Sequence, residues 1–201
     1  MEIIRYASLR SVPWKNGGGI TREVQRMPAA GGPFRWRVSI AEIDSSGLFS
    51  DFAGYRRIMV LLKGAGVRLN FADGSPAELR QAGDLARFDG GCPTDCELLG
   101  GPCTDLNLMV ASSMPDVTAG VERLRAPRPL PQASAGPLLC FPISGTVRWQ
   151  PDSGGTLWLN AWDLAVASSG ESGLIGPGPE SQDPAVAPLV FFAALTDNSP
   201  L

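Results

Sequence analysis

Phe34-Arg35-Trp36-Arg37-Val38-Ser39-Ile40-Ala41 is the stretch that decides the fold class, because apolar and polar side chains alternate along it. Successive side chains of a β-strand point to opposite faces, so Trp36, Val38 and Ile40 share one face while Arg37 and Ser39 share the other. The pattern predicts a strand with one apolar face and one face able to hold a ligand.

Short segments of the same kind occur along the chain, whereas helical periodicity is almost absent. They are rich in Val, Ile, Leu, Phe and Trp and end in Gly, Pro, Asp or Ser, which is typical of strands joined by turns. The further strands predicted are Thr21–Gln25, Arg57–Leu62, Val67–Phe71, Leu85–Phe88, Thr104–Val110, Leu138–Ile143, Thr146–Trp149, Thr156–Val166 and Val186–Leu195. The predicted fold class is therefore all-β.

A change of pattern from Met114 to Pro131, where prolines and arginines interrupt the chain, indicates a crossover between two halves. We expect residues 1–113 to form a first β-barrel and residues 114–201 a second, smaller barrel or sandwich. The alternative is that the two halves are intertwined as one compact domain. The stretch from Ser168 to Pro184, dominated by Ser, Gly, Pro and acidic residues, is expected to be an exposed loop.

Charge and histidine content narrow the range of functions. With 17 Lys and Arg against 20 Asp and Glu, the net charge of −3 provides no electrostatic footprint for nucleic acid or an anionic membrane. The chain shows neither a secretion signal nor an apolar run of the roughly 20 residues that span a bilayer, so we expect a cytoplasmic protein. The absence of histidine excludes Ser-His-Asp, Cys-His and His-ligated metal chemistry.

Four cysteines, Cys92, Cys96, Cys103 and Cys140, are the remaining candidates for metal ligation or disulfides. A zinc site would need Cys140 or a carboxylate as its fourth ligand. Free thiols are the usual state in a cytosolic chain, so we expect neither disulfides nor a metal or other cofactor.

A glycine-rich segment, Trp14-Lys15-Asn16-Gly17-Gly18-Gly19, precedes the first predicted strand. Its glycines allow positive φ angles or a close approach of another group, and Lys15 and Asn16 can donate hydrogen bonds to an anion or a carbonyl. The spacing is not that of a nucleotide-binding P-loop. From these residues alone, a ligand-binding loop and a plain hairpin entry both remain open.

Arg37 and Ser39 project from one strand face, and other donors lie on strands that could be its neighbours: Arg22, Arg57 and Asn107. The donors could converge in a barrel mouth, where guanidinium groups match carboxylates well. The alternative is that the arginines form surface pairs with acidic residues such as Glu23, Glu42 and Asp44.

Five motifs occur in order: Trp14-Lys15-Asn16-Gly17-Gly18-Gly19, Thr21-Arg22-Glu23, Trp36-Arg37-Val38-Ser39-Ile40-Ala41, Gly47-Leu48-Phe49-Ser50-Asp51-Phe52-Ala53-Gly54 with Arg57, and Asp105-Leu106-Asn107-Leu108-Met109. Together they resemble the signature of the HutD/Ves family. The resemblance implies a cupin fold, that is, a double-stranded β-helix or jelly roll, in a bicupin arrangement of two packed β-barrels. It also implies an association with bacterial histidine utilisation or stress-induced genes, but no settled catalytic activity.

The resemblance further implies a set of pocket or pocket-supporting positions: Trp14, Lys15, Asn16, Arg22, Glu23, Arg37, Ser39, Arg57 and Asn107. Metal-binding cupins carry at least two histidines and a glutamate at their metal site, and this chain has no histidine. One departure from the family pattern is the segment Val110-Ala111-Ser112, where family members often carry arginine.

The leading hypothesis is a metal-independent, non-enzymatic protein that binds an anionic intermediate of histidine breakdown, such as N-formylglutamate or urocanate, and modulates the pathway. One alternative is a metal-free isomerase or hydrolase with Glu23 or Asp105 as base and Lys15 as acid. Another is a protein-interaction module. We expect a small anionic metabolite as partner, no nucleic acid and no membrane, and the sequence leaves a homodimer open.

Overall fold

The structure, a computed structural model, describes residues 1–29, 31–115, 117–131, 136–179 and 186–196. Two compact units can be distinguished, one of residues 9–114 and the other of residues 1–8 and 115–201. Within these described ranges each unit contains two antiparallel β-sheets, and the all-β prediction is confirmed. No helix in the described ranges has the length and apolar character needed to cross a lipid bilayer.

The 9–114 unit contains a six-stranded and a four-stranded sheet, with strands numbered along the chain. The larger sheet has the order β2 (Ser11–Pro13), β3 (Gly19–Ala29), β4 (Gly32–Ile43), β11 (Cys103–Ala111), β6 (Tyr55–Lys63) and β9 (Leu85–Asp89). The smaller sheet has the order β5 (Gly47–Leu48), β10 (Thr94–Leu98), β7 (Val67–Phe71) and β8 (Pro76–Leu79).

Both sheets of this unit contribute to one apolar core. Met59 and Leu61 come from the larger sheet and Leu69 and Cys96 from the smaller, and all four side chains are fully buried. Burying an apolar side chain of this size contributes about 1.5–3 kcal/mol. Along β11 this core gives way to polar side chains on the same face, and these begin the candidate site.

The second unit has the same two-sheet design. A short 3-10 helix covers Tyr6–Ser8. Its five-stranded sheet has the order β1 (Glu2–Ile4), β17 (Leu164–Ala167), β14 (Leu138–Ser144), β19 (Leu189–Ala194) and β12 (Thr118–Arg123). Its four-stranded sheet has the order β13 (Arg128–Pro129), β18 (Gly173–Pro177), β15 (Val147–Pro151) and β16 (Leu157–Leu159). Residues 1–8, which we expected in the first barrel, belong here because β1 pairs with β17.

Three sequence-based expectations for this unit need correction. The stretch from Met114 to Pro131 contains the boundary between the units, but it is not a plain crossover, because β12 within it pairs with β19. Ser168–Pro184 is not wholly an exposed loop, because β18 lies within it and Ile175 is fully buried; residues 180–184 of this stretch lie outside the described residues. Short, partly exposed strands rich in Gly and Pro carry little alternation, which explains both errors.

The third correction concerns the single strand expected over Thr156–Val166. This segment forms β16 and β17 in different sheets, interrupted where Trp162 adopts a φ of 71°. The carboxylate of Asp163 accepts hydrogen bonds from the backbone N–H groups of Asn160 (2.9 Å) and Tyr6 (3.0 Å) and so fixes the break.

Candidate functional site

A cavity of about 460 Å³ lies within the 9–114 unit. Strands β4, β6 and β11 form its floor, and residues 13–16 and 48–52 form its sides. Its size falls within the usual range for small-molecule sites.

The glycine-rich segment is the hairpin between β2 and β3. The backbone N–H of Trp14 donates to the carbonyl of Gly19 at 2.9 Å, and Gly17, with a φ of 71°, makes the turn. A Cβ on Gly19 would lie 2.2 Å from the carbonyl oxygen of Glu42. Gly17 and Gly19 are therefore required by the geometry of the hairpin. The hairpin also places Lys15 and Asn16 at the cavity wall.

Arg57 on β6 is the central cation of the site, and only 5% of it is exposed. Its guanidinium carbon lies 4.8 Å, 5.0 Å and 5.6 Å from the ring centroids of Phe88, Phe49 and Phe52, respectively. Its Nε donates a long hydrogen bond of 3.4 Å to Oδ1 of Asn107. Among the described residues its two terminal nitrogens have no hydrogen-bond acceptor. Three aromatic faces stabilise the charge while leaving donors free for a ligand.

Burial lowers the pKa of Arg57 to about 10, against the attraction of Asp105, and the neighbouring charge of Arg37 lowers it further. Arg57 therefore remains a cation at neutral pH. A buried cation with unused donors favours an anion as its partner.

Asp105 on β11 is the one carboxylate among the described residues that line the cavity. It is 2% exposed, and its Oδ2 has no hydrogen-bond partner in the described part of the chain. Burial raises the pKa of Asp105 to about 7, although the charge of Arg57 and a hydrogen bond from Asn107 act in the opposite direction. The group can therefore exchange a proton near neutral pH.

Arg37 on β4 is the second guanidinium in the cavity wall, with 18% of its side chain exposed. Its Nε donates to Oε2 of Glu23 at 2.8 Å. This ion pair fixes the orientation of Arg37 from outside the cavity. Ser39, the next residue on the same face, is 3% exposed and also lines the cavity.

The structure brings together seven of the nine site residues expected from the sequence: Trp14, Lys15, Asn16, Arg37, Ser39, Arg57 and Asn107. Arg22 and Glu23 do not line the cavity. Arg22 lies opposite Ile40 in the strand pairing and so shares the apolar face of β4; it forms an ion pair with Glu42. Glu23 supports Arg37 instead. The placement is a structural finding, and the binding role of these residues stays a prediction.

Several residues of the site were not singled out as ligand-binding from the sequence. Phe49, Phe52 and Phe88 surround Arg57, and Phe88 is distant in sequence from the other two. The first two lie in the Gly47–Gly54 motif, which was the available signal. For Asp105 the sequence predicts only the role of a catalytic base in the alternative enzymatic function.

The donor set of the cavity does not fit the metal that many cupins hold. Among the described lining residues, the charged side chains are one carboxylate, Asp105, and three cations, Lys15, Arg37 and Arg57. Divalent cations need several anionic or neutral ligands, and nearby positive charge opposes them. No group of three or more His, Cys, Asp or Glu side chains within the described ranges could hold a metal ion. All four cysteines are free thiols, and all but Cys92 are buried.

The HutD family model matches residues 6–177 of the chain. An uncharacterized 21.2 kDa protein in the hutC 3′ region of Pseudomonas putida is 44% identical over 112 residues, which cover 55% of this chain and 58% of that protein. Protein Ves of Escherichia fergusonii is 36% identical over 110 residues, which cover 53% and 57% of the two chains. The chain thus spans a little over half the length of these curated relatives.

Solved structures are similar over nearly the whole chain. A conserved protein of unknown function from Pseudomonas aeruginosa PAO1 has a TM-score of 0.84 at 30% identity, with 98% of both chains covered. HutD from Pseudomonas fluorescens SBW25 has a TM-score of 0.77 at 25% identity, covering 98% of this chain and 99% of that one. A cupin 2 conserved barrel domain protein from Leptotrichia buccalis has a TM-score of 0.64 at 9% identity, covering 97% and 96%, and shares the fold alone. The cupin-like fold is therefore confirmed.

Proposed function

Because this chain belongs to the HutD family, we propose that it is a metal-independent protein that binds a small anionic metabolite in the cavity of its 9–114 unit. The family is linked to histidine utilisation by its name and by the hutC-region relative. The proposed ligand is an anionic intermediate of that pathway, such as N-formylglutamate or urocanate, and its binding would modulate the pathway.

The observation that carries the proposal is the state of Arg57. Arg57 is 5% exposed, three phenylalanine rings surround its guanidinium group, and its terminal nitrogens have no acceptors among the described residues. Burying such a charge costs free energy, and a role in the fold alone gives no compensation for this cost. A carboxylate in the cavity would accept two parallel hydrogen bonds from these nitrogens. The pocket therefore has a ready partner for one carboxylate.

The remaining lining supports a ligand with polar groups beyond that carboxylate. Arg37 and Lys15 add positive charge, and Ser39 and Asn107 can orient a ligand by hydrogen bonds. Lys15 is exposed, and within the described ranges it has no ion-pair partner. Both proposed metabolites combine a carboxylate with further polar atoms.

A thermal-shift screen of the purified chain against N-formylglutamate and urocanate, followed by calorimetry, tests the proposal. A ligand at 100 times its dissociation constant should stabilise the native state by about 2.7 kcal/mol. Arg37→Ala should lose this response and stay folded, because Arg37 is at the edge of the core. Arg80→Ala is the matched control, since Arg80 is exposed and pairs with Glu78 on the smaller sheet. Absence of a shift with either metabolite would refute this ligand class.

A second candidate function, a metal-free isomerase or hydrolase, is favoured by Asp105. Its pKa of about 7 suits a general base near neutral pH, and Lys15 lines the same cavity as a candidate acid. Glu23, the other base considered, lies outside the cavity wall and pairs with Arg37. Steady-state assays with each bound metabolite decide this point: turnover that disappears in Asp105→Asn supports an enzyme, and saturation without turnover supports a binding protein.

A further inference from the structure

Asp105 and Arg57 form a buried pair of opposite charges at the cavity wall. Asp105 is 2% and Arg57 5% exposed, and Asn107 links them by accepting from Arg57 and donating to Asp105. The pair is neutral overall when both groups are charged. A carboxylate that binds to Arg57 changes this balance, because two negative charges then share one buried cation.

We infer that Asp105 takes up a proton when a carboxylate binds to Arg57, so that the cavity binds an anion together with one proton. The proton comes from solvent, and protonation of the Asp105 carboxylate is the only bond change. This inference rests on the proposed function and specifies how the same site is regulated.

When a ligand carboxylate binds to Arg57, the site has one negative charge in excess. Two structural features favour protonation of Asp105 as the way to neutralise it. Oδ2 of Asp105 is shielded from solvent and has no hydrogen-bond partner in the described part of the chain, so no hydrogen bond from these residues stabilises a negative charge on that oxygen. Asp105 is also fixed on a central strand, with β4 and β6 paired on either side through Ala41 and Leu61. The backbone that carries Asp105 is therefore held in place, and a proton is the smallest group that can neutralise the buried carboxylate.

The charged and titratable groups around Asp105 also favour its protonation when a ligand carboxylate binds. Arg57 from β6 stabilises the ionised form, and Arg37 from β4 acts on Arg57. Cys96 from β10 is a neutral thiol at neutral pH, because burial and then the charge of Asp105 raise its pKa to about 12. Lys15 is at the exposed end of the cavity. Arg57 is thus the main compensating charge, and burial already holds the pKa of Asp105 at about 7 before a ligand adds negative charge.

A coupled proton gives the site a graded response to pH. Above the pKa that Asp105 has in the ligand-free protein, the affinity for the ligand should fall by up to about tenfold per pH unit. The fall ends at the pH at which Asp105 also ionises in the ligand-bound protein. A carboxylate metabolite would therefore bind more tightly as the pH falls through neutrality.

Calorimetric titration of the whole chain with N-formylglutamate, in buffers that differ in ionisation enthalpy, measures the protons taken up. This ligand has no group that titrates between about pH 6 and 9, so any uptake belongs to the protein. We expect an uptake approaching one proton per ligand at about pH 8. Asp105→Asn should bind with no proton uptake and with an affinity independent of pH in this range. Asp95→Asn, which changes an exposed carboxylate on β10, should behave like the unmodified chain.

The outcomes separate this inference from the proposed function. Binding without proton uptake overturns the inference and leaves the proposed function intact. Uptake that persists in Asp105→Asn also overturns it, because another group then carries the proton. If N-formylglutamate and urocanate both fail to bind, the proposed function and this inference fail together.

Discussion

Arg37 on β4 and Arg57 on β6 both pair with Met109 on β11, the strand between them, so the two arginines lie side by side across the sheet. The two guanidinium groups therefore face the same cavity, and each lowers the preference of the site for a further cation. They differ in surroundings. Arg37 has Glu23 as an ion-pair partner, whereas Arg57 has aromatic rings and one amide. A ligand carboxylate should gain more from Arg57, whose terminal donors are unused.

Replacement of Arg57 by lysine tests how much of the affinity depends on the shape of the guanidinium. Arg57→Lys keeps the charge but loses the planar pair of donors and the stacking on the phenylalanine rings. We expect the affinity for a carboxylate ligand to fall by about tenfold or more, which corresponds to at least ~1.4 kcal/mol. Calorimetry gives the value, and Arg68→Lys, on the exposed side of β7, is the control. An unchanged affinity would show that charge alone is recognised.

Asn107 should contribute to stability through the two buried charges that it links. Asn107→Ala leaves Nε of Arg57 without its acceptor and removes the hydrogen bond to Asp105. Leaving buried polar groups unpaired costs about 1–3 kcal/mol, so the free energy of unfolding should fall by that amount in urea denaturation. Asn70→Ala, at an exposed position of β7, should change it by less than about 0.5 kcal/mol. Equal effects of the two substitutions would contradict a linking role.

The glycine-rich hairpin should respond differently at two of its glycines. Gly19→Ala would place a methyl group 2.2 Å from the backbone oxygen of Glu42, which cannot move without distorting β4. We expect a loss of more than about 2 kcal/mol in the free energy of unfolding. Gly17→Asn is the matched control: Gly17 has open space around its Cβ position, and Asn tolerates its φ of 71°. A loss of similar size in both variants would mean that general strain of the turn, not the close approach to Glu42, governs the effect.

The part of this site that could be predicted from the sequence is the part encoded by alternation within a strand. Arg37 and Ser39 on β4, and Asp105 and Asn107 on β11, follow from a period of two residues, which is a local property. For Arg22 the sequence does not specify the face, because which side of β3 faces the cavity depends on its pairing with β4, where Arg22 lies opposite Ile40.

Features that depend on contacts between distant segments could not be predicted in this way. The phenylalanine rings around Arg57 come from residues 49–52 and from β9, and no local pattern relates them. The same holds for β5 and β13, which are two residues long and exist only through their pairing with β10 and β18. The raised pKa of Asp105 likewise results from burial, a property of the assembled barrel.

The stability of the protein should carry a pH dependence from Asp105 that is opposite to that of most carboxylates. Glu78 and Asp73 have pKa values lowered by hydrogen bonds, so their contributions are lost as the pH falls through the acid range. The pKa of Asp105 is instead raised to about 7 by burial, whereas in the unfolded chain it is about 3.9. Between these two values the folded state binds the proton and the unfolded state does not.

Since the native state binds more protons in that window, the contribution of Asp105 to the free energy of unfolding falls as the pH rises from about 4 to 7 and then levels off. The slope from this one group is at most about 1.4 kcal/mol per pH unit. Asp105→Asn removes this pH dependence. The stability of the variant relative to the unmodified chain should therefore increase as the pH rises through this window. Urea denaturation of both proteins at several pH values measures the difference, in which the contributions of Glu78 and Asp73 cancel. A difference that stays constant from about pH 4 to 7 would show that Asp105 is ionised throughout, as an ordinary carboxylate is.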